Sequence, residues 1–270
     1  MNKKAYEEYE IIDSHAHIFP PKIAAKATEN IGRFYDIPMK GEGSSERLLE
    51  SGREIGVKKY LVCSSATSPD QVSHINTFIR EECSKHPEFL GFGTLHPDME
   101  NIEQEIERII SMGLRGIKLH PDFQRFNIDS PAAYKMYELL ENRLPILFHA
   151  GDNRYEYSKP HRIARVAKDF PVLSIIAAHL GGYRCWQEAE TVLNGRDNVF
   201  FDCSSSASML PPEYAKSLIN GFGVTRVFFG CDFPMWKHKS EFDAFMNLGF
   251  SYEDNVKILS ENFKTFIGGI

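Results

Sequence analysis

Two histidines one residue apart, His15 and His17, close the run Ile11-Ile12-Asp13-Ser14-His15-Ala16-His17. Apolar residues lead in and Phe19-Pro20-Pro21 leads out, which predicts a strand that ends at the histidines. Side chains alternate between the faces of a strand, so both imidazoles point one way and Ala16 the other. Two neutral imidazole nitrogens side by side can bind one divalent metal ion. A lone His-x-His recurs by accident and more often marks hydrogen-bonded histidines than a site, so its meaning depends on what the rest of the chain brings beside it.

The elements that must position such a site follow a regular alternation. Strands are predicted at residues 11–17, 57–63, 89–95, 115–120, 145–149, 172–178, 198–203 and 226–232, and several read as continuous apolar runs, as strands buried on both faces do. Helical stripes lie between them. Leu48, Leu49 and Ile55 mark one, Val72, Ile75, Phe78 and Ile79 a second, and Ile102, Ile106, Ile109 and Ile110 a third. Ser68-Pro69 and Ser130-Pro131 open helices as cap and first-turn proline. Residues 19–43, with Pro20, Pro21, Pro38 and several glycines, read as a long irregular loop with a helical turn near 23–28, the kind of segment that serves as a lid. Eight strands each followed by a helix in 270 residues predict an α/β fold, a (β/α)8 TIM barrel forming one domain over 1–270. A doubly wound open sheet is the alternative. The count of eight and the clustering described next favour the barrel.

Six of the ten histidines fall at predicted strand ends: His15, His17, His96, His120, His149 and His179. Asp232 ends the eighth strand. In a barrel these ends converge at one mouth, where active sites form. His15, His17, His149 and Asp232 make a set of three imidazoles and one carboxylate, suited to Zn²⁺ with a position left open. A metal held there lowers the pKa of a water or polarises a substrate oxygen. His179, left over at the same level, is a candidate general base or acid.

Five motifs follow one another in order: Asp13-Ser14-His15-Ala16-His17, Gly116-Ile117-Lys118-Leu119-His120-Pro121, His149-Ala150-Gly151, Ala178-His179-Leu180-Gly181-Gly182 and Gly230-Cys231-Asp232-Phe233-Pro234. Together they resemble the amidohydrolase superfamily, in the amidohydrolase-related branch that holds the aminocarboxymuconate-semialdehyde-decarboxylase-like enzymes. The resemblance implies that His15, His17, His149 and Asp232 bind one divalent metal, Zn²⁺ first and Mn²⁺ second, and that His179 handles a proton. Relatives with two metals bridge them with a carboxylated lysine or a glutamate on the fourth strand. Lys118 occupies that strand but lies deeper than His120, and it reads rather as a buried cation paired with Asp13 or Asp202.

Around this centre, His120, Arg154, Phe19 and Trp236 are the candidate substrate-binding residues. An arginine suits a carboxylate through paired hydrogen bonds, and aromatic side chains suit a ring. Asp152, Tyr155, Arg125, Arg184, Phe123 and Phe233 are weaker candidates. The leading expectation is a metal-dependent hydrolase of a small carboxylated cyclic ester or amide, with Asp232 orienting the water and His179 moving the proton. The rival is a non-oxidative decarboxylase of a carboxylated aromatic that uses the same metal set. A third is a barrel that binds a metal or ligand without turnover.

Bulk properties agree with a small-molecule enzyme. A net charge of −6, from 31 basic and 37 acidic residues, argues against a nucleic-acid surface. Five cysteines without a Cys-x-x-Cys pair predict reduced, mostly buried thiols. A polar start from Met1 to Tyr9 and the lack of a long apolar run predict a cytoplasmic protein with no membrane partner. A homodimer is what the resemblance suggests.

Overall fold

The structure, a computed structural model, describes residues 7–268. Met1 to Tyr6, part of the polar start considered above, lie outside the described residues. In chain order the elements are β1 (Ile11–His17), α1 (Pro21–Tyr35), α2 (Ser45–Arg53), β2 (Val57–Cys63), α3 (Val72–Lys85), β3 (Phe89–Gly91), β4 (Gly93–Thr94), α4 (Ile102–Ser111), β5 (Ile117–Leu119), α5 (Pro121–Gln124), α6 (Pro131–Leu140) and β6 (Ile146–Phe148). They continue with α7 (Pro160–Asp169), β7 (Ile175–Ala177), α8 (Trp186–Leu193), β8 (Val199–Asp202), α9 (Ser206–Met209), α10 (Pro212–Phe222), β9 (Val227–Phe228), α11 (His238–Met246), α12 (Tyr252–Val256), a π-helical turn (Lys257–Glu261) and α13 (Asn262–Phe266). The third predicted strand is thus two short strands interrupted at Phe92, and each of the other seven strands appears where its apolar run stands. Two short helices, α5 and α9, are additions that four-residue segments cannot announce by periodicity.

The chain divides into two compact units, one built from its two ends, up to Val62 and from Cys203, the other from Cys63–Asp202. In the second unit β4, β5, β6, β7 and β8 pair in parallel, with Ile117 beside Ile146, Ile146 beside Ile175 and Ile175 beside Val199. Leu119, Phe148 and Ala177, one residue or two from the ends that carry His120, His149 and His179, are fully buried, as are all three residues of β6 and of β7. Each isoleucine or leucine so buried contributes roughly 1.5–3 kcal/mol. Burial on both faces is why these strands read as unbroken apolar runs. Lys118 is the exception in β5, a lysine with no exposed surface.

In the first unit β1 lies beside β2, and its other edge is bonded to the segment that follows β9. Ser14 donates to the Phe229 carbonyl at 2.9 Å and His17 to the Phe233 carbonyl at 2.7 Å, while Ala16 forms a parallel bridge with Phe233. These bonds bring the end of β1 against residues 229–233.

The expectation of an irregular loop over 19–43 is corrected: α1 occupies fifteen of those residues. Pro21 sits in its first turn, where a proline costs no hydrogen bond, and Asp36 in the left-handed conformation closes it. Its buried stripe is Ala24, Thr28, Gly32 and Tyr35. The spacing is helical, but the residues are small or polar, so a hydrophobic stripe does not show in the sequence. Among the described residues, no helix is long and apolar enough to cross a membrane, and all five cysteines are free, three of them buried.

Candidate metal centre and proton-handling groups

The unit formed by the chain ends carries the first group. His15 and His17 project from one face of β1 with their Nε2 atoms 3.2 Å apart and ring centroids 5.0 Å apart. Asp232 comes from the turn after β9. Its Oδ1 lies 3.7 Å from His15 Nε2 and 3.4 Å from His17 Nε2. Its backbone is left-handed, φ 59°, and its N–H donates to the His15 carbonyl at 2.8 Å. His15 has no exposed surface, Asp232 is 4% exposed, and His17 is partly open to solvent.

A second layer of bonds orients His15 and Asp232. Ser204 Oγ meets His15 Nδ1 at 3.2 Å, which leaves the Nε2 side of the ring toward His17 and Asp232. Ser205 Oγ donates to Asp232 Oδ2 at 2.9 Å. Asp13 Oδ1 accepts the N–H groups of His15 (3.0 Å) and Cys231 (2.9 Å), and its Oδ2 meets His238 Nε2 at 2.9 Å. The other nitrogen of His238 meets Ser51 Oγ at 2.9 Å. Glu241, 1% exposed, accepts the N–H of Ser205 at 3.1 Å, and burial pushes its carboxyl up to about 8. Two imidazole nitrogens and a carboxylate oxygen therefore converge, with the opposite atoms of His15 and Asp232 already bonded. That donor set and its outer bonds fit a divalent cation.

The unit of Cys63–Asp202 carries the second group. His120 immediately follows β5 and His149 immediately follows β6, while His179 stands two residues beyond β7. The ring of His120 is stacked between Phe123 (3.7 Å between centroids) and His149 (4.0 Å). Its Nδ1 accepts the Phe123 N–H at 3.3 Å, so the neutral ring carries its proton on Nε2. His179 Nε2 lies 3.1 Å from His149 Nδ1. His179 and Leu180 are both left-handed, with φ 58° and 50°. The turn is pinned by His179 N–H to Asp202 Oδ1 (3.2 Å) and by the Trp186 indole to the His179 carbonyl (3.0 Å). Gly151, at φ 76°, packs against this turn so closely that a Cβ there would lie 2.7 Å from the Gly182 carbonyl carbon.

Asp122, on α5, is buried beside this group. Its Oδ2 accepts the Ser158 hydroxyl and lies 3.9 Å from His149 Nε2. Burial, aided by the charge of Asp152, pushes its carboxyl up to about 7. His96, after β4, is buried, and burial lowers its pKa.

The candidate substrate-binding residues have definite neighbours. Arg154 is engaged by buried Asp152, Nε to Oδ1 at 3.0 Å and Nη2 to Oδ2 at 2.7 Å. Its paired donors are thus turned on an internal carboxylate. Phe19, partly exposed, lies over Gly43, where a Cβ would come within 2.6 Å of its ring. The indole N–H of Trp236 donates to Ser205 Oγ at 2.9 Å. Phe233 is buried and packs on Gly41. Sequence reasoning missed Ser204, Ser205 and His238. The serine run after the seventh predicted strand was a usable signal, because it stands at the same strand-end level as the histidines. His238, at the start of a helix, offered none.

The amidohydrolase family model matches residues 12–263, and the chain belongs to that family. Within it the chain falls in the amidohydrolase-related branch of the superfamily. An uncharacterized protein of Sinorhizobium fredii, y4mH, is 28% identical over 137 residues, 43% of this chain and 46% of its own length. The match thus spans about half the length of that relative. Solved structures resemble nearly the whole chain. An uncharacterized TIM-barrel protein of Bordetella bronchiseptica is 20% identical with a TM-score of 0.79, over 96% of this chain and 98% of its own. A dihydroxybenzoic acid decarboxylase of Polaromonas, with bound manganese and 2-nitroresorcinol, is 15% identical with a TM-score of 0.74, over 96% and 97%. A probable 2-pyrone-4,6-dicarboxylic acid hydrolase of Acinetobacter baumannii is 16% identical with a TM-score of 0.70, over 96% and 99%. At these identities the likeness shows the fold: the chain has the (β/α)8 TIM-barrel fold that the alternation predicted.

Proposed function

We propose that this member of the amidohydrolase family is a metal-dependent hydrolase of a small, carboxylated cyclic ester or amide. The observation that carries the proposal is the convergence of His15 Nε2, His17 Nε2 and Asp232 Oδ1, each within 3.7 Å of the other two. Without a cation, the buried His15 and Asp232 and the partly open His17 would face one another at a desolvation cost that a bound metal removes. His149 enters the ligand set on the strength of its motif, and its Nδ1 is the nitrogen that faces His179. Zinc is the first candidate for the metal. Manganese, which the Polaromonas decarboxylase holds, is the second.

When bound, the metal supplies a Lewis acid and brings the pKa of a water toward neutrality. The remaining steps belong to side chains. Asp232 orients the attacking water. His179 Nε2 takes a proton from it and returns one to the leaving oxygen or nitrogen as the ring opens. His120, with its proton on Nε2, donates to a substrate oxygen. Phe19 and Trp236 supply apolar surface for the ring. Arg154, already paired with Asp152, contributes to carboxylate binding only when a substrate displaces or shares that partner.

A second reading has its own support. The Polaromonas neighbour is a decarboxylase of a carboxylated phenol, and Asp122, whose carboxyl burial pushes up to about 7, is an acid that holds its proton well above the ordinary carboxylate range. In that reading the substrate is a carboxylated aromatic, and the proton goes to the ring carbon that loses carbon dioxide. One experiment separates the two. Purified protein is assayed for metal content and then screened against lactones and carboxylated aromatics in parallel. Ring opening of a lactone supports hydrolysis, whereas carbon dioxide release with no lactone opening replaces it with decarboxylation. Full turnover by metal-free protein would overturn both.

A further inference from the structure

We infer that Ser205, aimed by Trp236, is a positioning residue that holds Asp232 in its ligating orientation. The inference rests on the proposed metal site at His15, His17 and Asp232 and adds residues to which that proposal gave a different role or none. The number of available protons fixes the direction of each bond. An indole nitrogen can only donate, so the 2.9 Å contact from Trp236 Nε1 makes the Ser205 hydroxyl an acceptor. A hydroxyl has a single proton. With Trp236 on one side, that proton is directed to Asp232 Oδ2 at 2.9 Å. Oδ2 is therefore an acceptor of a defined hydrogen bond, and the carboxylate is turned with Oδ1 toward the two histidine nitrogens at 3.7 and 3.4 Å.

The backbone is strained by this arrangement. Ser205 has φ 60° and ψ −33°, outside the regions open to a residue with a side chain, and it is held there by its N–H bond to buried Glu241. A strained serine with no exposed surface, whose hydroxyl is committed on both sides, is the pattern expected where side-chain direction matters more than local stability. Trp236 stands on the same turn as Asp232, so the aiming residue and the ligand move together. The indole thus acts on the site through its N–H as well as through its ring.

The test uses the full chain stripped of metal and titrated with Co²⁺, read by the visible d–d absorption and by affinity. Ser205→Gly removes the hydroxyl but accepts the positive φ, so its metal-free melting temperature should change little. Its Co²⁺ affinity should fall about 10–100-fold, the usual effect of losing an outer-layer partner, and the absorption band should shift. Trp236→Phe keeps a ring and removes the donor, and it should give a smaller loss with a shift in the same direction. Wild-type affinity and an unchanged band in both variants would overturn the inference. If Ser205→Gly fails to fold, Trp236→Phe decides by the same two readings. His17→Ala serves as the control. If it weakens Co²⁺ binding while the other two do not, only the role of Ser205 fails. If the unaltered protein binds no metal, the metal site fails and this inference with it.

Discussion

The peptide N–H of Asp232 donates to the carbonyl of His15 at 2.8 Å, so two residues from opposite ends of the chain are tied by backbone before their side chains meet. Asp13 strengthens the tie by accepting the N–H groups of both His15 and Cys231 through one oxygen. Three of the four candidate ligands, His15, His17 and Asp232, therefore stand on a single bonded segment pair rather than on independent loops. A site so mounted holds its geometry without the metal, and it should reload after being emptied.

Dialysis against a chelator should accordingly abolish turnover, and adding Zn²⁺ or Mn²⁺ should restore it. Elemental analysis of His15→Ala and Asp232→Ala should find the metal content reduced to a small fraction of that of the unaltered protein, with activity lost in parallel. Undiminished metal in either variant would place the ion elsewhere.

Replacing His179 by glutamine should separate proton handling from metal binding. General acid–base groups contribute typically about 10²–10⁴-fold to rate, and a drop in kcat of that order is expected with the metal content retained. The variant keeps the pinned turn, since the bonds that hold it run through the backbone of residue 179. Activity within a few-fold of the unaltered enzyme would remove His179 from the mechanism.

The Asp13–His238 pair is fully buried on both sides. Removing His238 leaves the buried Asp13 Oδ2 without its hydrogen-bond partner, at a cost of about 1–3 kcal/mol. His238→Phe preserves the edge contact with Tyr60 and the stacking on Phe233, so a loss would report the missing bonds rather than a cavity. Denaturant unfolding should show a loss in this range, and His238→Gln, which can still reach Asp13, should lose less. Equal stability of His238→Phe and the unaltered protein would show that the pair holds nothing together.

Glu241 makes stability depend on pH in a defined direction. Its carboxyl sits at about 8 in the folded chain against an ordinary 4.5. The folded state therefore favours the protonated form. That contribution is complete below about 4.5 and is lost as pH rises through about 8, since the unfolded chain releases the proton first. Glu241→Gln, neutral at every pH, should match the unaltered metal-free protein near pH 5. By pH 9 it should be more stable by a few kcal/mol, since each tenfold difference in proton affinity between the folded and unfolded chain is worth roughly 1.4 kcal/mol. Parallel stability curves from pH 5 to 9 would refute this assignment.

Much of this protein was written in local pattern. Apolar runs placed the strands because burial on both faces demands continuous hydrophobic residues, and Ile146–Phe148 and Ile175–Ala177 are buried as the runs required. His15 and His17 were readable as a same-face pair because a strand repeats every two residues. The family was readable because its motifs stand in order along the chain. Tertiary structure alone decided the rest. The helix Pro21–Tyr35 is invisible to hydrophobic periodicity because its buried stripe is built of Ala24, Thr28 and Gly32, which fit by size rather than by hydropathy. The partner of Asp13 proved to be His238, and the partners of Asp232 proved to be Ser205 and, through it, Trp236. Residue types announce which groups can bind a metal, but hydrogen bonds between distant segments decide which way those groups face. That direction depends on distances no stretch of sequence contains.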